Sequence, residues 1–191
     1  MSKTTYFLYI FTLVVLFTSR AMADSGRALK LLEKQEYDKL IEYLNKDIEK
    51  DSINPGAKYV YSLLYLDSAF SRFNIDSSFY YILHARDELP RLDEKETKKL
   101  NNDGINDSVI HLQKRKVERT AFIRSKMEHT LQSYNYFIDR FPDASQLDSA
   151  IYYRNEIAYQ KAVAANTYEA FRHFIYTYPE AVQMEEAKEK Y

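Results

Sequence analysis

The chain has 191 residues, no cysteine and a formal net charge of −1. The missing thiol excludes disulfides, cysteine nucleophiles and a lipid-modified N-terminal Cys. A near-neutral, mixed-sign surface argues against nucleic acid as the main partner, because neutralising phosphates needs a basic face. With only 3 Gly and 4 Pro there is little material for the tight turns of an all-β fold, and the 46% hydrophobic share is ordinary for a folded soluble protein.

Lys3 precedes a mostly apolar run from Tyr6 to Phe17, and Ala21-Met22-Ala23 has the A-x-A form of a cleavage site. Residues 1–23 therefore read as a secretory signal peptide, with the mature chain starting at Asp24. The rival reading, an uncleaved anchor, is disfavoured because the run falls short of the ~20 residues that span a bilayer. Loss of Lys3 and Arg20 moves the formal charge from −1 to −3. No later apolar run is long enough to cross a membrane. The predicted location is the periplasm or the outer-membrane periphery, with secretion as the alternative.

The rest reads as helix nearly throughout. Ala28, Leu29, Leu31 and Leu32 open a first helix. Leu40, Ile41, Leu44 and Ile48 place a helical stripe over 36–49. Asn54-Pro55-Gly56 breaks the chain, and Pro55 suits the first turn of a helix predicted from Ala57 to Phe73. Ser77 or Ser78 is expected to cap a helix from Phe79 to Leu89, stopped by Pro90. These helices form an N-terminal unit over 24–90. Residues 91–107 are polar, alternate in sign and include Asn101-Asn102-Asp103-Gly104, so they read as a solvated connector. A long helix from Asp107 to Lys126 follows, with Val109, Ile110, Leu112, Val117, Ala121 and Phe122 expected inward.

Over 108–191 one unit is written twice, 37 residues apart. The first copy runs through Ala121, Thr130, Tyr134, Phe137-Ile138, Phe141-Pro142-Asp143-Ala144, Gln146 and Ala150. The second runs through Ala158, Thr167, Phe171, Phe174-Ile175, Tyr178-Pro179-Glu180-Ala181, Gln183 and Ala187. Such a period, with Thr caps and Pro stops, marks stacked helical hairpins. Each pair leaves an apolar stripe that only the next pair can cover. Ser145 with Asp148 is expected to form a capping box. Ala181 to Tyr191 opens a further helix with no stop signal after it, as an incomplete last unit would.

The phrase aromatic-x-x-Phe-Ile-x-x-aromatic-Pro-acid-Ala resembles the tetratricopeptide-like units of Gram-negative envelope proteins. Outer-membrane assembly lipoproteins and the periplasmic Tol–Pal coordinator carry similar phrases. Residues 57–90 resemble a degenerate repeat of that kind, with Ala85 five residues before Pro90. The resemblance implies an all-α fold, a tetratricopeptide-like α-solenoid of antiparallel hairpins wound into a right-handed superhelix. It implies that the protein binds other proteins.

Little in the chain points to chemistry. His84, His111, His129 and His173 show no metal-ligand spacing, and there is no phosphate loop or nucleophile motif. Around Gly104, Lys99 and Ile110 stand where a calcium loop needs acids. No catalytic, cofactor-binding or metal-binding residue is predicted. Two surface features remain. The run Lys114-Arg115-Lys116 with Arg119 is a candidate contact for an anionic surface, against a plain solvated helix face. Among the tyrosines, which number 18, some cannot face a core. Tyr152, Asn155 and Tyr159, at 3- and 4-residue spacing, are the candidate wall of a partner groove. The leading function is a non-catalytic envelope scaffold holding a protein or peptide partner. The alternative is an accessory domain of a larger envelope protein whose C-terminal part carries the activity.

Overall fold

Caps and apolar spacing divide residues 24–191, those described by the computed structural model, into helices α1 (Ser25–Glu33), α2 (Tyr37–Lys50), α3 (Pro55–Leu66), α4 (Ile75–Glu88), α5 (Glu94–Asn102), α6 (Asp107–Glu128), α7 (Leu131–Arg140), α8 (Leu147–Ala165), α9 (Tyr168–Thr177) and α10 (Met184–Lys190). A single 3-10 turn, Leu89–Arg91, extends α4. The described residues contain no strand. The leader read over 1–23 lies outside them. From α1 to α4 and from α6 to α10 each helix packs against the one before it, and α4 packs directly on α6 across α5. No described helix is long and apolar enough to cross a membrane.

The repeated half obeys its own punctuation. α6 ends at His129 with φ 47° and ψ 53°, and α8 ends at Asn166 with φ 47° and ψ 46°. Both are left-handed closures, a conformation that Asn and His adopt more readily than branched residues. Thr130 and Thr167 then cap α7 and α9, each side-chain oxygen accepting the backbone N–H three residues on. Phe141 (φ −127°, ψ 58°) and Tyr178 (φ −128°, ψ 59°) end these helices in the same twist. Phe137 and Phe174, the matched aromatics, are both fully buried. The sequence repeat is therefore a repeat of backbone and burial.

One apolar cluster runs from Phe79 and Ile82 of α4 through Ile110 and Val117 of α6 to Tyr134, Phe137 and Ala150. A second joins α1 to α4 around Leu40, Leu44, Val60 and Leu64. A third, between α8 and α10, holds Phe171, Phe174 and Ala187.

Several expectations change. The stretch read as a solvated connector contains α5, closed at its start by a capping box between Asp93 and Glu96. Leu100 and Ile105 are buried in the main cluster. Two apolar side chains in a polar run give no periodic signal, yet they suffice to dock the segment. Gly56 shows how closely it docks: a Cβ there would lie 2.9 Å from Leu100 Cδ1 and collide with Ser25 Oγ. α3 stops at Leu66, short of Phe73, because the Asp67 carboxylate accepts the Ala69 N–H and turns the chain. Phe70 then folds back against Tyr37 and Tyr65, with centroids at 5.1 and 5.8 Å. Asn74, and neither serine, caps α4. Gln146 precedes α8 without a side-chain cap, so the Ser145–Asp148 box does not form. Leu112 faces solvent, 60% exposed.

Candidate functional site

The three candidate groove residues share one face of α8, but different neighbours cover them along its length. Tyr152 is exposed, its ring edge-on to Tyr153 at 5.6 Å. Asn155 is buried, and its carbonyl accepts two bonds from the Arg154 guanidinium, at 3.0 and 2.9 Å. That guanidinium sits 5.1 Å from the Tyr178 ring centroid. Tyr152 and Asn155 line one depression of about 170 Å³ with Ile151, Val182 and Gln183. Tyr159 does not join it. Its ring packs on Phe174, centroids 5.4 Å apart, inside the α8–α10 core. Burial, with the Glu186 carboxylate close by, pushes its phenol up to about 12. Tyr159 is therefore core, and the groove edge is left to Tyr152.

The basic run also divides. The Lys114 ammonium pairs with the Glu118 carboxylate, both largely covered, so Lys114 belongs to a buried ion pair. Arg115, Lys116 and Arg119 are exposed. The 37-residue step places Arg115 at the register of Tyr152 and Glu118 at that of Asn155. The two candidate surfaces are thus one helix position in successive units, filled with different chemistry.

A recess that the sequence does not announce opens where the two halves meet. It encloses about 440 Å³ and is lined by Phe73, Asn74, Asp76, Arg124, Gln132 and Tyr136 among others. The loop before α4, the last turns of α6 and the first turns of α7 supply its walls. The Tyr136 hydroxyl donates to Asp76 at 2.7 Å, and Arg140 Nε donates to the same oxygen at 3.0 Å. Burial first, and that bond second, raise the Tyr136 phenol well above the ordinary tyrosine range. Arg124 donates to Glu128 at 3.0 Å on the opposite wall. Asp76 and Arg140 lie 64 residues apart, so local pattern carries no signal for this recess.

Among the described residues no cluster of three or more His, Asp or Glu side chains could hold a metal. The histidines scatter: His84 packs at a tilt against Tyr80 with centroids at 4.2 Å, His111 lies 3.4 Å from Asp107, and His129 shares a 3.0 Å hydrogen bond with Tyr134. No protein-family model, curated protein or solved structure matches the chain.

Proposed function

We propose that this protein is a non-catalytic scaffold of the cell envelope, exported behind the leader at 1–23. Its tetratricopeptide-like array of hairpins holds a polypeptide segment of a partner in the recess between α4, α6 and α7. The observation that carries this reading is the recess of about 440 Å³, within the range of ligand-sized sites. Its rim combines an aromatic side chain, Phe73, with amide and carboxamide groups at Asn74 and Gln132. Its charged groups are already tied to one another, Asp76 to Arg140 and Arg124 to Glu128. Such a rim suits a segment of mixed polarity. Internally paired charges leave little net field to select a strongly charged ligand.

A photo-crosslinking amino acid at Phe73 or Gln132 tests the reading in cell-envelope preparations. A discrete adduct of one partner is expected from these positions and none from the exposed Asp38 on α2. Adducts of equal yield at Asp38, or none at either recess position, reject it.

A further inference from the structure

We propose that the solvent face of α6 is a docking surface for an anionic phospholipid bilayer. At 100° per residue, Leu112, Lys116, Arg119, Ile123 and Met127 fall along one stripe, with Arg115 on its border. The opposite face, through Ile110, Gln113, Val117, Ala121 and Ser125, is buried in the protein. The stripe is about 22 Å long, from the 1.5 Å rise per residue.

Two properties set it apart from an ordinary solvated face. Its apolar side chains are long and uncovered: Leu112 is 60% exposed, Ile123 47% and Met127 81%. Its cations have no ion-pair partner among the described residues. The α6 carboxylates are engaged elsewhere: Asp107 lies by His111, Glu118 is buried with Lys114, and Glu128 holds Arg124. Among the described residues, the side chains of Arg115, Lys116 and Arg119 form no hydrogen bond or ion pair. A solvated helix normally interleaves both signs and keeps such apolar tips covered. A bilayer surface answers both features, with phosphates for the cations and the headgroup–acyl boundary for Leu, Ile and Met. A groove-bound peptide fits less well, because none of the stripe residues lines any recess described above. This inference stands apart from the partner recess, which lies on another side of α6.

Flotation of the exported, purified protein with phosphatidylglycerol–phosphatidylcholine vesicles, against pure phosphatidylcholine vesicles, tests it. Binding is expected only to the anionic vesicles and is expected to fall with salt. Removing the cations in Arg115→Gln/Lys116→Gln/Arg119→Gln should weaken binding by about fivefold each, roughly 100-fold together. Leu112→Ser/Ile123→Ser/Met127→Ser should also weaken it, with the helical circular dichroism unchanged. An off-face control of equal charge, Lys39→Gln/Lys46→Gln/Lys188→Gln, should retain binding. No flotation, equal flotation on neutral vesicles, or an equal loss in the off-face control overturns the proposal. An acidic helical peptide that binds this face while vesicles do not would also overturn it, in favour of a protein partner.

Discussion

In α6–α10 the repeated borders at 129–130 and 166–167 are drawn by neighbouring residues, whereas in α1–α4 local caps are joined by polar bonds that tie the helices together across long stretches of chain. Thr130 and Thr167 cap their own helices, and His129 and Asn166 close the preceding ones. In the first half, the Lys58 ammonium donates to Ser52 O at 2.6 Å and pairs with Glu88, which accepts the Asn54 N–H at 3.0 Å. That network fixes the end of α4 to the start of α3, 30 residues away. Ser62 and Ser78 meet at 3.0 Å, and Gln113 donates to Ser62 at 3.2 Å from 51 residues further on. Stacked rings, Tyr61 on Tyr81 at 4.6 Å and Tyr65 on Tyr81 at 5.7 Å, complete the join. Local encoding lets a unit be copied. Long-range polar pairing makes a helix pair that fits in one place only, and leaves it vulnerable to loss of a single partner.

The largest expected effect probes the copied half. Phe137→Ala should cost about 4 kcal/mol, because a fully buried aromatic is removed from the cluster that joins α4 to α8. Phe174→Ala should cost less, about 3 kcal/mol, since its cluster spans only α8–α10. Urea denaturation followed by circular dichroism measures both. Hydrogen exchange should show Phe174→Ala loosening α9 and α10 with α1–α4 still protected. Equal loss of protection in both halves would contradict a modular C-terminal array.

The next effect belongs to the first half. Lys58→Met leaves the Glu88 carboxylate buried without its counter-ion and should cost about 3 kcal/mol by the same denaturation. Lys58→Met/Glu88→Leu should recover most of that loss, because two apolar groups need no pairing. If the double variant is no more stable than the single one, the pair sets the α3–α4 geometry as well as its own charge balance.

The smallest effect concerns Tyr159. Its hydroxyl is buried without an acceptor in bonding geometry, so Tyr159→Phe should be as stable as the parent at pH 7, or slightly more so. Burial first, then Glu186, raises the folded phenol from 10.0 to about 12. The stabilising difference is therefore complete below pH 10 and is lost as pH rises through 12. Denaturation curves of parent and Tyr159→Phe at pH 7 and pH 11 should show the parent losing relative stability at the higher pH. A constant difference would place this phenol in water, outside the α8–α10 core.

The sites were less legible than the repeat. Spacing rightly puts Tyr152, Asn155 and Tyr159 on one face of α8, but that face is covered unevenly along its length: the α8–α10 core buries Tyr159, and Tyr152, two turns earlier, stays exposed. In the basic run, composition shows four cations, and only packing reveals that Glu118 takes Lys114 and leaves the other three exposed, without an ion pair among the described residues. The recess has walls from three separate segments, none of which carries a motif.

Sequence alone determined that residues 24–191 are helical, where most of their helices start and stop, and that residues 121–150 and 158–187 share one design. Caps, prolines and 3-to-4 spacing act over a few residues, so their meaning survives without a partner in view. Tertiary structure decided that α5 joins the core, how α3 and α4 lock together, and which faces of α6 and α8 meet water. Those outcomes depend on desolvation and pairing between residues tens of positions apart, and a side chain's burial is set by what the rest of the chain brings to it.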